Sequence, residues 1–92
     1  MREIEFTTHF QKDFKREKRN SRHKDLDEVL EGAVDSLLVD KQLARRFLDH
    51  ALKGQYADCR ECHLKPDLLM IYSKQGRSVL TLIRLGSHSE LF

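Results

Sequence analysis

The spacing of apolar residues changes along this chain, and the change limits the folds open to it. Phe10 and Phe14 lie one helical turn apart, and Leu26, Val29, Leu30, Ala33 and Leu37 follow at helical spacing. Cys59 to Leu64, Leu68 to Ser73 and Ser78 to Leu85 are instead short runs rich in apolar and β-branched residues, which predict strands. Thr8 followed by Gln11 has the spacing of a capping box, and Asp25 with Glu28 offers a second cap, so two helices are predicted, interrupted at Asn20-Ser21. Lys65-Pro66-Asp67 and Lys74-Gln75-Gly76-Arg77 read as hairpin turns. Arg2 to Phe6 alternates charged and apolar side chains, as a short strand with one buried face would. Leu43, Ala44 and Phe47 suit a short helix, and His50 to Gly54 reads as a loop ending in a turn. The predicted order is strand, two helices, three strands. That order argues an α+β fold: an antiparallel three-stranded meander with helices packed on one sheet face and the other face open.

A chain of 92 residues supports one modest core and one domain. Apolar residues make up 39% and charged residues 35%, a globular composition rather than a disordered one. The longest apolar run is Leu68-Leu69-Met70-Ile71-Tyr72, far below the ~20 residues a membrane-spanning helix needs. The opening Met-Arg-Glu-Ile-Glu-Phe places charges where a secretory signal has its apolar stretch, so the expected compartment is the cytoplasm, with no membrane partner. Net charge is +2, but Lys12 to Lys24 holds seven basic side chains against Asp13 and Glu17, and Asp25 to Asp40 holds six acids and no base. The basic segment suits a polyanion such as RNA, although a solvated helix face accounts for it equally well. Acids at the start of the second helix complement the helix dipole and need no further role.

Cys59-Arg60-Glu61-Cys62-His63 matches the pattern for covalent haem attachment and contains a Cys-x-x-Cys pair. In a strand, positions three apart point to opposite faces, so both thiols cannot grip one porphyrin edge or one zinc ion. Two free thiols are therefore expected, with no metal and no cofactor. The histidines divide by position. His9 and His23 lie among charged helical residues and are expected to face solvent. His50, His63 and His88 fall in the C-terminal half, with Asp67 opening a strand after a turn and Arg84 near the end of the last strand. An antiparallel meander brings such positions to one rim. Imidazoles, a carboxylate and a fixed cation there are equipped for proton transfer around a phosphate.

The stretches Leu48-Asp49-His50-Ala51-Leu52-Lys53-Gly54, Cys59 to Tyr72, and Arg84-Leu85-Gly86-Ser87-His88-Ser89-Glu90-Leu91-Phe92, taken together and in order, resemble the YafQ-type toxins of the RelE/ParE superfamily. The likeness runs over almost the whole chain. It implies a RelE-like single toxin domain over residues 1–92 and an mRNA interferase that acts in the ribosomal A site and is neutralised by a cognate antitoxin with a DNA-binding dimer. It also implies that His50, His63, Asp67 and His88 match the family's catalytic residues, Arg84 its phosphate-facing arginine and Phe92 its C-terminal aromatic. Leu68 stands where close relatives can carry a Trp, so a base-stacking contact is missing and codon preference can differ.

Such a reaction needs no metal, because RNA supplies its own nucleophile, the ribose 2′-hydroxyl. A base takes that proton, an acid protonates the departing 5′-oxygen, and a cation holds the phosphoryl oxygens. The expected roles are His88 as acid, His50 or Asp67 as base, Arg84 as charge stabiliser and His63 as the residue orienting the phosphate. Lys12, Lys15, Arg16, Lys18, Arg19 and Lys53 are the candidate RNA-binding cations. Two rival classes stay open: a gyrase poison of the same superfamily, which would not need three histidines, and a non-catalytic RNA-binding module, for which only Tyr56, Tyr72 and Phe92 are candidate stacking aromatics.

Overall fold

A computed structural model describes residues 1–92 as an α+β fold. Strand β1 (Glu3–Phe6) leads into helix α1 (Thr8–Lys18), and a short 3-10 turn at Ser21–His23 precedes helix α2 (Leu26–Leu38). A two-residue strand β2 (His50–Ala51), strands β3 (Arg60–Lys65), β4 (Leu68–Gln75) and β5 (Val79–Gly86), and a four-residue helix α3 (His88–Leu91) follow. The five strands form one sheet in the order β1-β5-β4-β3-β2. The predicted meander is β3-β4-β5, and its second turn carries Gly76 at φ 56°, a conformation that glycine adopts without penalty. The sheet is mixed rather than antiparallel, because β1 joins β5 in parallel. The region expected to be loop contributes β2, which pairs with β3. Of the short helix expected around Leu43 to Phe47, only a 3-10 turn at Arg45–Phe47 forms.

The main core lies between helices and sheet: Phe10 from α1 and Leu26, Ala33, Val34, Leu37 and Leu38 from α2 meet Cys62, Leu64, Leu68, Met70, Tyr72, Leu80, Leu82 and Leu85. The second sheet face is not fully open. Leu69, Ile71 and Leu91 are buried there, with Leu52, Tyr56, Cys59 and Ile83 packed against them. Leu68 to Tyr72 is thus a central strand covered on both sides, which is why its apolar run does not alternate.

Three local expectations are corrected. The α1 cap is Thr7 rather than Thr8: its hydroxyl accepts from the Phe10 N–H at 2.9 Å. Asp25 occupies the α2 cap position, but its carboxylate turns to Lys65 Nζ at 2.8 Å and makes no cap bond. Strand β1 has no buried face. Its four residues are exposed, whereas Arg2 just before it is buried, donating to Asp40 Oδ1 and the Val79 carbonyl.

Because β1 ends at Phe6, the edge of β5 beyond Leu82 lacks a strand partner. Side chains of the Thr7 cap and α1 replace it. Thr7 Oγ1 donates to the Ile83 carbonyl (2.7 Å), Asp13 Oδ2 accepts from the Leu85 N–H (3.0 Å), and Arg16 Nη2 donates to the Leu85 carbonyl (2.8 Å). Unpaired backbone groups there would be costly, so α1 is fixed in place by the strand it completes.

Candidate active site

The face opposite the helices carries the polar site. Register places His50 opposite Glu61, Glu61 opposite Ile71, and Ile71 opposite Arg84. A neighbouring row runs from His63 through Leu69 to Gly86. The two-residue period of β3 puts Glu61 and His63 on this face and Cys62 and Leu64 in the main core. With strands about 4.8 Å apart, the row from His50 to Arg84 spans roughly 14 Å of sheet.

At one end, two imidazoles converge on one buried carboxylate. His50 Nε2 lies 3.7 Å and His63 Nε2 3.5 Å from Glu61 Oε1, and Glu61 is only 4% exposed. His50 Nδ1 lies 2.7 Å from the Leu48 carbonyl. A carbonyl only accepts, so Nδ1 carries the proton of the neutral ring, and Nε2 keeps its lone pair. Leu48 adopts φ 48°, a left-handed conformation unusual for leucine that closes the turn ahead of His50. Sequence reasoning missed Glu61. The signal was present in the strand alternation, which puts Glu61 and His63 on one face.

At the other end, Arg84 donates through Nε and Nη2 to Asp13 Oδ2 and Oδ1 (2.7 and 3.2 Å), and its Nη1 approaches the Tyr56 hydroxyl at 3.5 Å. Burial pushes the Asp13 carboxyl up, but the Arg84 bond, the Leu85 N–H and the two nearby guanidiniums outweigh it and hold it below the ordinary 3.8. Helix α3 follows directly. Ser87 and Glu90 form a capping box, Leu91 is anchored in the face cluster, and His88 and Phe92 point outward. The His88 and Phe92 rings lie 4.9 Å apart, and Phe92 meets Tyr56 edge to face at 5.9 Å.

The structure therefore groups His50 with His63, and Arg84 with Phe92 and His88 through Tyr56. Leu69 and Ile71 lie between the two groups. Asp67 joins neither and is exposed in the turn between β3 and β4. Lys12, Lys15, Arg19 and Lys53 are exposed. Lys18 pairs with Asp27 at 2.7 Å. Arg16, expected among the RNA-binding cations, is instead committed to protein groups: Glu17, Glu90, Asp13 and the Leu85 carbonyl. His23, expected to face solvent, is 2% exposed, with Nε2 3.5 Å from Glu17 Oε1. It is carried inward by the turn between the helices.

Both cysteines are free. Cys62 lies in the main core and Cys59 against the opposite face cluster, as strand geometry predicted. Burial pushes the Cys62 thiol up to about 12. No set of three His, Cys, Asp or Glu side chains is disposed to hold a metal ion, and no helix is long and apolar enough to cross a membrane.

Comparison with known proteins places this geometry. The family profile described as a bacterial toxin of type II toxin–antitoxin system, YafQ, matches residues 2–92. The mRNA interferase toxin YafQ of Escherichia coli K12 is 32% identical over 93 aligned residues, covering 99% of this chain and 96% of the relative. A copper-bound mutant toxin from Helicobacter pylori is 41% identical, with a TM-score of 0.90 over the full length of both chains. The toxin chain in a crystal structure of the E. coli DinJ–YafQ complex is 32% identical, with a TM-score of 0.84 over 100% of this chain and 99% of that one.

Proposed function

Because the chain belongs to the YafQ family of type II toxin–antitoxin toxins, we propose that it is an mRNA interferase: a RelE-like endoribonuclease that cuts messages in the ribosomal A site of the cytoplasm. The observation that carries this reading is the convergence of His50 and His63 on Glu61, on the same sheet face as Arg84. It is the equipment for moving a proton beside a phosphate.

His50 is the favoured base. Its Nε2 lone pair takes the proton of the ribose 2′-hydroxyl, the oxygen attacks the adjacent phosphorus, and the imidazolium so formed faces the Glu61 carboxylate. Glu61 also orients His63, which positions the scissile phosphate. Arg84 stabilises the developing phosphoryl charge through the one N–H left on each of Nη1 and Nη2, the others being held by Asp13 and Tyr56. His88, exposed at the start of α3, protonates the departing 5′-oxygen, and Phe92 holds the His88 ring. Asp67, out on the turn, is the alternative base. The products are a 2′,3′-cyclic phosphate and a 5′-hydroxyl.

The H. pylori toxin is described as copper-bound. In this chain no three His, Cys, Asp or Glu side chains form a group that could hold a metal ion, and no step passes through one. By likeness to the DinJ–YafQ complex, the partner is a cognate antitoxin. Its acidic or apolar segments would meet the basic surface and part of the site rim.

Single-turnover cleavage on programmed ribosomes tests this reading. A message with one 2′-deoxy nucleotide 5′ of the scissile bond should bind normally and resist cleavage, and cleavage should survive EDTA with ribosomes kept intact. Replacing His50 or His88 with Ala should slow the chemical step by about 10² to 10⁴. If His50→Ala, His63→Ala and His88→Ala all cleave within about threefold of wild type, the assignment fails.

A further inference from the structure

Helix α3 has four residues and one buried apolar anchor, Leu91. A helix that short does not hold itself, yet it carries His88 and Phe92. The second thing that holds it is an ion pair. Glu90 uses Oε1 to accept from the Ser87 N–H at 2.8 Å in the capping box, and Oε2 to meet Arg16 Nε at 3.0 Å. The same guanidinium donates through Nη2 to the Leu85 carbonyl, and through Nη1 to Asp13 Oδ1 at 2.9 Å. Asp13, 3% exposed, in turn grips Arg84.

We propose that Arg16 is a positioning residue of this site, whose one guanidinium fixes both α3, with His88 and Phe92, and the Asp13 carboxylate that aims Arg84. The inference rests on the nuclease reading above. Arginine is required because the fork must reach three carboxylates and a carbonyl in fixed directions; lysine, a single point charge on a flexible stem, reaches one or two. Gly86 belongs to the same device. A Cβ there would stand 2.7 Å from Arg16 Nη2 and 3.1 Å from Glu90 Oε1, so only glycine leaves the guanidinium its place between β5 and α3. The Arg16 and Glu90 side chains are 41% and 37% exposed, so their direct pairing contributes little to global stability. What it decides is where a short, weakly anchored helix sits.

Removing Arg16 outright would take one partner from each of the buried carboxylates of Asp13 and Glu17, and such a variant can fail to fold. The test therefore uses the full-length toxin carrying Glu90→Gln, which keeps a capping-box acceptor but replaces the oxygen that meets Arg16 with an NH2 donor, and separately Arg16→Lys. Displacing a catalytic group by about 1 Å can cost about 10²-fold. Glu90→Gln and Arg16→Lys should lower the single-turnover rate by about 10- to 10²-fold. Ribosome affinity should stay near wild type for both variants and the thermal midpoint near wild type for Glu90→Gln, and the His88 and Phe92 ring resonances should shift. In a His88→Ala background, Glu90→Gln should have almost no further effect on the rate, since coupled positions do not add. Full additivity, or wild-type rates for both Glu90→Gln and Arg16→Lys while His88→Ala is slow, overturns the positioning role and leaves the nuclease reading intact. Wild-type rates for His88→Ala as well would instead overturn the reading of α3 on which the inference rests.

Discussion

Asp13 is, with Glu17, one of two buried acids on helix α1, and it is there because three donors surround it: Arg84, the Leu85 N–H and Arg16. Its folded-state pKa lies below the ordinary 3.8, so its contribution is fully present above that value and is lost as pH falls through the lower, folded one. Asp13→Asn should cost about 1–3 kcal/mol at neutral pH. The difference from wild type should shrink as pH falls through the lowered folded-state pKa, below 3.8, as urea denaturation at neutral and at acid pH would show. The cysteines make a second comparison within one short segment. Cys62 is buried with its thiol pushed up to about 12, whereas Cys59 is partly accessible and its thiol is only raised. Iodoacetamide at pH 8 should modify Cys59 slowly and Cys62 only in denaturant; mass spectrometry of the native protein showing Cys62 labelled first would contradict this placement.

At the scale of elements, β1 is too short for the strand it pairs with, and the Thr7 cap and helix α1 complete the ladder with side chains. Thr7 does two things with one hydroxyl: it caps α1 by accepting from Phe10 and donates to the Ile83 carbonyl. Thr7→Val should therefore cost about 1–2 kcal/mol, and Thr7→Ser far less, measured by the midpoint of chemical unfolding. A larger loss for Thr7→Ser than for Thr7→Val would mean that packing of the methyl, not the hydroxyl, holds this junction.

Over the whole molecule, the proposed site and the free cations occupy different places: His50, His63 and Arg84 lie on one sheet face, while Lys12, Lys15 and Arg19 stand exposed on and just beyond α1. Changing those three to Ala should weaken ribosome binding and flatten its salt dependence, by about one unit of slope for each phosphate no longer neutralised. The bound complex should still cleave at the wild-type rate. Expression without a partner should arrest growth, and an antitoxin should relieve it. Growth unaffected by the free, folded chain would remove the toxin reading for this copy.

What the sequence determined by itself is what repeats locally. Helical and two-residue periods, the turn residues around Pro66 and Gly76 and the order of elements were legible, as were the opposite facing of Cys59 and Cys62 and the side of β3 on which His63 stands. Each follows from backbone geometry over a few residues. Only the tertiary structure decided that β1 lies parallel beside β5, that His50 enters the sheet as β2, and that His23 turns inward. It also turned Arg16 from a candidate RNA-binding cation into the clasp of α3. The partners in those cases stand up to 76 residues apart in sequence, as Glu3 and Val79 do across the β1–β5 ladder, and no local period records a pairing at that range. A charged side chain has the same local pattern whether it meets water, a carboxylate or a phosphate, and the difference is set by which distant groups the fold brings within hydrogen-bonding reach.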